Sequence, residues 1–316
     1  MMTKRSIVDE ILDLKKRQGK SKLGADLGWK VDNLIKSWTC GAQTQELADF
    51  IPIRLATILE VYIRETVRDL IDSDPKYLDR AESLTRGTKL DFVMFKSLQG
   101  RRVSVGDIVS HSIPISSLDH ILSICDSLCP KFREKLPHSR ELWIEDHELS
   151  CLPPPILGNA ELVLKAIKRI FEVRHILVHE MAQERPYSIE EIPEFLTATK
   201  DFISATDWIF VGETTGPVPR SQMTMNITAG ERLELAMREL EELLASIRPM
   251  EQSDASKFDA AQKAWEVFAD ADASFHAAEV EGGSMYPMVW AMQKEERVRE
   301  RTAALRRWLD NERSSL

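Results

Sequence analysis

The stretch Asn159–Met181, NAELVLKAIKRIFEVRHILVHEM, is where the fold of this 316-residue chain is most legible. It begins just after Pro153-Pro154-Pro155, which forbid a helix, and from there its apolar residues recur at three and four. That is the period of an amphipathic helix of about six turns. Ile167, Phe171, Arg174 and Val178 stand at i, i+4, i+7 and i+11 and so share one stripe. A guanidinium thus interrupts an apolar face. Burying an unpaired charge is costly, so such an arginine is either paired within the fold, to Glu172 or to an acid on another helix, or serves a site. The adjacent stripe, at the same spacing, is Lys168, Glu172, His175 and His179.

Working outward, helical patterning dominates. Ser6–Gln18 reads as an amphipathic helix with Ile7, Ile11, Leu12 and Leu14 inward. Gln45–Asp72 is a long helical run with Leu47, Phe50, Ile51, Leu55, Leu59 and Tyr62 among its inward residues, and Pro52 either kinks it or marks its start. Shorter helices are expected at Lys89–Leu98 and Ser116–Ser127. The block His138–Gly158 is irregular. Ser188–Asp207 opens with a capping box, Ser188 followed three residues on by Glu191. Residues 211–230 are rich in Gly, Pro and Thr without an apolar period and read as a linker. Beyond it, Glu231–Ser246, Ala255–Val280 and Ser284–Asn311 read as three helices, with Gly282-Gly283 as a stop. There is no internal repeat, and strand-like alternation extends over only a few residues around Arg102–Ile108. The expectation is an all-α protein with a helical domain over 1–210, a linker over 211–230 and a small three-helix domain over 231–316.

Composition narrows the function classes. At 43% hydrophobic and 29% charged residues the chain is globular rather than disordered or fibrous. No apolar run approaches a membrane span, and the start carries no secretory pattern, so a cytoplasmic protein is expected. Cys40, Cys125, Cys129 and Cys151 are too few and scattered for a disulfide framework and read as buried or partly buried free thiols. The net charge of −9 does not advertise nucleic-acid binding, yet six of those charges come from Gly230 onward. The first part is near neutral, with basic clusters at Lys15-Lys16-Arg17, Lys20, Lys22 and Arg101-Arg102 that form either a solvated face or a local groove.

Arg174, His175 and His179, with Glu172 and Lys168 in support, suit RNA cleavage without a metal or other cofactor. A histidine can take a proton from a ribose 2′-OH or give one to a leaving 5′-oxygen. An arginine fork can hold a phosphoryl group and stabilise the charge that builds on it. Two bland readings stand beside this one: an internal salt bridge for Arg174, and a zinc pair for His175 and His179, which would need further ligands. His120, His138 and His147 are isolated in sequence.

Arg174-His175-x-x-x-His179 resembles the signature of the HEPN superfamily of ribonucleases, in which Arg, a polar residue, three further positions and His lie late in a helical bundle. The run Phe171–Glu180 and the upstream Leu59-Glu60-Val61-Tyr62 are similar to the flanking patterns of that group, over roughly residues 1–210. The resemblance implies a dimer with facing motif helices, Arg174 and His179 as the catalytic pair and His175 orienting them. Where some HEPN toxins carry a tyrosine two residues after the last histidine, this chain has Met181, so modification of such a tyrosine is not implied.

A second resemblance lies near the C-terminus. Gln262-Lys263-Ala264-Trp265, Asp270-Ala271-Asp272, Gly282-Gly283-Ser284 and Arg301–Leu305 look like the ordered blocks of LprI-type lysozyme-inhibitor domains, over roughly 252–310. The two cysteines of that family fall near Ala273 and Gln293, and its arginine before Asp270 is Ala269. These departures point to a helical interaction module rather than a periplasmic inhibitor. Together the two resemblances imply a homodimeric, metal-independent endoribonuclease, a toxin or anti-phage effector, governed by a protein partner or inhibitor at its C-terminal domain. The alternative is a non-catalytic HEPN fold, regulated through the C-terminal domain, that binds RNA or nucleotide without cutting or serves as a protein-interaction scaffold.

Overall fold

The computed structural model describes residues 7–18, 23–85, 103–147, 152–180, 184–247 and 255–314. The chain is all-α: among these residues only an isolated bridge between Trp143 and Val218 has β geometry. It divides into one unit of residues 1–142 and 153–216 and a second of 143–152 and 217–316.

The first unit contains α1 (Ile7–Gln18), α2 (Leu23–Cys40), α3 (Gln45–Ser73), α4 (Pro75–Arg80), α5 (Val105–Ser112), α6 (Leu118–Leu128) and α7 (Phe132–Lys135). The single turn α8 (Ile144–His147) follows in the chain, then α9 (Ala160–His179) and α10 (Glu191–Thr214) return to this unit. Its axis is α3, packed against α2, α5, α9 and α10. Thr44 starts α3 by accepting from the Leu47 amide at 3.3 Å, and Ile51, Leu55, Leu59 and Tyr62 are buried one turn after another. Pro52 neither starts nor ends this helix, which runs from seven residues before it to Ser73. Phe50, expected inward, is exposed.

Three elements correct the sequence reading. Helix α2 has no counterpart in the sequence expectation; its buried Leu27, Val31 and Trp38 lie on one face and close over α3. The strand-like Arg102–Ile108 contains the start of α5, because Ser104 and Asp107 form a reciprocal capping box that turns the chain into a helix. Helix α10 starts at Glu191 rather than Ser188 and continues to Thr214; the Glu191 carboxylate accepts from the Ser188 amide at 2.7 Å, so half of the expected box is present. Of the stretch expected as a linker, only residues 215–221 lie outside helices. The Lys89–Leu98 helix and the Lys20, Lys22 and Arg101-Arg102 clusters fall outside the described residues.

Helices α3 and α5 approach closely at Gly106. A Cβ there would lie 2.5 Å from the Arg68 carbonyl and 2.7 Å from Asp72 Oδ1, which accepts from the Gly106 amide at 3.0 Å. Cys125 and Cys129 are buried free thiols, Cys40 is exposed, and Cys151 lies outside the described residues. Burial pushes the Cys125 thiol well above its ordinary value.

The second unit is built on α11 (Gln222–Ile247), α12 (Ala255–Ala277) and α13 (Tyr286–Ser314). Helices α11 and α12 both pack on α13, through Leu233, Leu240 and Leu244 on the first and fully buried Ala269, Ala273 and Ala277 on the second. Gly282, at φ +74°, makes the turn between α12 and α13. Helix α11 begins nine residues before its expected start. The Glu145 carboxylate accepts from the backbone amides of Arg220 and Ser221 at 2.9–3.1 Å, and Ser221 Oγ from that of Thr224, so the early turn is capped from within and from afar. Those bonds hold the Glu145 carboxyl down at about 2, the Ser221 amide being the largest cause. Among the described residues no helix is long and apolar enough to cross a membrane.

Candidate functional site

Helix α9 starts because Asn159 accepts from the Leu162 amide at 3.2 Å, and it is held by Ala166, Ile167, Ile170 and Val173, all buried. Arg169 ties its flank to α10 through Glu191 at 3.2 Å. The inward stripe therefore runs through Ile170 and Val173 rather than on to Val178. The last turn emerges from the core: Leu177 is half-buried, and Val178 and His179 are exposed. The expectation of a continuous apolar stripe carrying Arg174 is corrected at this point, since Val178 has no core to enter.

Arg174 is half-buried at the edge of this emergence and faces Glu60 of α3, with Nη2 and Oε1 3.8 Å apart. Its pairing thus goes to an acid on another helix and not to Glu172, which faces Arg169 at 3.5 Å. Burial pushes the Glu60 carboxyl above its ordinary value, while Arg174 and Arg64 pull it back. Arg64, one turn further along α3, donates to the carbonyls of Ser110 at 2.5 Å and His111 at 3.2 Å. Burial lowers its guanidinium from the usual value, and Glu60 restores part of the loss. A line of charge therefore runs from the end of α5 through Arg64 and Glu60 to Arg174.

His175 and His179 are exposed, with ring centroids 5.0 Å apart and planes tilted by 51°. His175, Glu172 and Lys168 line a groove of about 370 Å³ whose other wall includes Ser116 and Asp119 at the start of α6. The structure brings Lys168, Glu172 and His175 to one groove and His175 beside His179, while Arg174 sits apart, turned toward α3. Glu60, Arg64, Ser116 and Asp119 were missed as site residues. Only Glu60 left a trace in the sequence, within the Leu-Glu pair that precedes Tyr62. Among the described residues no group of three or more His, Cys, Asp or Glu could hold a metal, so the zinc reading of the histidine pair finds no third ligand.

In the second unit the quoted LprI-like blocks converge. Arg301 Nε donates to buried Gln262 Oε1 at 3.2 Å, and its guanidinium lies 5.9 Å from the Trp265 ring centroid. Burial lowers the Arg301 guanidinium. Trp265 and Trp290 are half-buried and pack against the core of this unit, and Trp290 donates to Ser274 Oγ at 3.2 Å. Ala273 is fully buried on α12 and Gln293 half-buried on α13, so the positions given to the family's cysteines hold a small packed residue and an amide.

No curated protein and no solved structure matches the chain. The HEPN resemblance of residues 1–210 accordingly rests on the motif residues alone. Residues 218–305 match the model of the family described as Lysozyme inhibitor LprI, which places the family likeness of this chain in its C-terminal segment.

Proposed function

We propose that the chain is a HEPN-type, metal-independent endoribonuclease that works as a homodimer in the cytoplasm, where its free thiols stay reduced. One observation carries this reading. A half-exposed arginine, spaced 3.8 Å from the carboxylate that faces it, precedes two solvent-facing histidines that lie side by side on the last turns of the same helix. That separation exceeds a hydrogen bond, so the guanidinium keeps donors for a phosphate. His179 takes the proton of the 2′-OH as that oxygen attacks phosphorus. Arg174 steadies the charge on the phosphorane, and the bond to the 5′-oxygen breaks as that oxygen takes a proton from solvent water. The products are a 2′,3′-cyclic phosphate and a 5′-OH. His175 orients the pair, with Glu172 and Lys168 at the groove beside it. A toxin or anti-phage effector of this kind would be restrained or triggered through its C-terminal unit by a protein partner, the role its LprI match suggests.

The Glu60–Arg174 pair also favours a second reading, a HEPN scaffold that binds RNA or nucleotide without cutting, with Arg174 as an internal salt bridge. Purified full-length chain, Arg174→Ala and His179→Ala are compared on RNA in EDTA. The nuclease reading expects wild-type cleavage to cyclic-phosphate ends and a loss of about 10²-fold or more in each variant. Intact RNA with wild type, or equal cleavage by all three, sinks it. Intact RNA bound equally by all three supports the scaffold.

A further inference from the structure

Between α1, α3 and α5 lies a cavity of about 300 Å³ that the cleavage chemistry does not use. Part of its lining is apolar, with Ile11 and Leu14 from α1 and Val61 from α3. The rest is mostly charged. Glu65 and Asp107 are 7% and 4% exposed, so each carboxylate needs a cation, and each has one: Arg68 for Glu65 and Lys15 for Asp107. His111 faces Glu10 at 3.2 Å. Arg64 is the remaining cation of the lining, and among the described residues it forms no ion pair. Its Nη1 is held by the carbonyls of Ser110 and His111 in the last turn of α5, and its Nε and Nη2 have no hydrogen-bond partner among the described residues. That edge is the planar pair of donors with which an arginine grips two oxygens of a phosphate or carboxylate. Lys15, Arg64 and Arg68 against Glu65 and Asp107 leave the lining with one positive charge in excess, in a protein of net charge −9.

We propose that this cavity is a nucleotide subsite, in which the fork of Arg64 takes a phosphate and the base lies against Ile11, Leu14 and Val61. The unmatched guanidinium calls for an anion, and the aliphatic part of the lining calls for an apolar, flat body beside it. A volume of about 300 Å³ is at the small end of ligand pockets and suits one nucleotide rather than a longer segment. The choice of a nucleotide over another apolar anion rests on the ribonuclease reading. Glu60 precedes Arg64 by one turn of α3 and faces Arg174 at 3.8 Å, so the two guanidinium groups flank one carboxylate. An RNA strand held at Arg174 therefore has a neighbouring phosphate within reach of Arg64. The cut then falls beside a nucleotide whose base the cavity selects, which makes Arg64, Ile11, Leu14 and Val61 residues of specificity rather than of chemistry.

Calorimetric titration of the full-length chain in EDTA with the four nucleoside 5′-monophosphates, and with inorganic phosphate, supplies the test. At least one monophosphate is expected to bind saturably, about tenfold or more tighter than inorganic phosphate. Arg64→Lys keeps the charge and a donor for the α5 carbonyls but loses the fork, and is expected to weaken that monophosphate about tenfold. Leu14→Trp adds bulk to the apolar lining, belongs to no ion pair, and is expected to weaken it by a similar factor of about ten. Melts followed by circular dichroism show which variants are folded, and Leu14→Trp decides the matter where Arg64→Lys fails to fold. Absence of monophosphate binding, inorganic phosphate bound as tightly as any monophosphate, or binding unmoved by folded Leu14→Trp each overturns the proposal. Cleavage is read separately. RNA cut by wild type, and cut by Leu14→Trp with the same KM and the same base preference, overturns the subsite and leaves the ribonuclease standing. Monophosphate binding that both variants weaken, with RNA left intact by wild type, supports the subsite and sinks the ribonuclease.

Discussion

Arg174 shows how far a helical repeat carries and where it stops. The spacing placed it on a stripe with Ile167, Phe171 and Val178, and the first two of these are buried as expected. Period gives the inward direction of a helix but not the point at which the helix leaves its core, and Val178, on the same stripe, is exposed among the described residues. The carboxylate that meets Arg174 lies more than a hundred residues upstream, and a single sequence has no means of pairing the two. Glu60 is desolvated, and its raised carboxyl sets the sign of an experiment. The folded state holds that proton more tightly than the unfolded chain, so the contribution of this group to stability falls as pH rises through its folded value. Glu60→Gln removes the term. Its melting temperature relative to wild type is expected to rise between about pH 4 and about pH 7, followed by circular dichroism. On the proposed ribonuclease function, the same variant removes the carboxylate that positions Arg174 and is expected to lower RNA cleavage about tenfold, a loss that should appear in kcat more than in KM.

At the scale of elements, long helices with strong periodicity were legible and their ends were not. Helix α9 was placed to within two residues, because its polyproline block and Asn159 cap are written locally. Helix α2 carries Leu27, Val31 and Trp38 on one face, but Gly28 and its polar neighbours dilute the pattern below what periodicity alone detects. The capping box of α5 was legible as Ser104-x-x-Asp107, but the alternating residues around it suggested a strand. Contact between elements is a different matter. Gly106 gives no local sign of its role, which is to let α5 lie against the backbone of α3 where a Cβ would collide with the Arg68 carbonyl. Gly106→Ala is expected to cost about 1–3 kcal/mol in urea unfolding, because backbone must move to admit the methyl group. A Gly28→Ala control, where a Cβ would meet nothing within 4 Å, should be neutral or slightly stabilising.

For the whole molecule, the all-α class followed from composition and period together, while the division into units did not follow the chain. The early start of α11 depends on Glu145, a residue far away in sequence, and the Gly- and Thr-rich stretch before Gly230 concealed it. The depressed Glu145 carboxyl means that the folded state favours its ionised form. Its contribution to stability is present above the ordinary carboxylate value of 4.5 and is lost as pH falls toward about 2. Glu145→Gln is therefore expected to unfold earlier than wild type at neutral pH and to converge with it in acid, in thermal melts followed at 222 nm. Equal melts across the range would remove Glu145 as a cap. The same feature bears on inheritance. A recombination event that moved residues 217–316 into another gene would carry every position matching the LprI family, yet it would leave behind Trp143 and Glu145. The transplanted helix would arrive without the carboxylate that closes its first turn, and selection in the new host would favour a replacement acid from whatever sequence lies upstream.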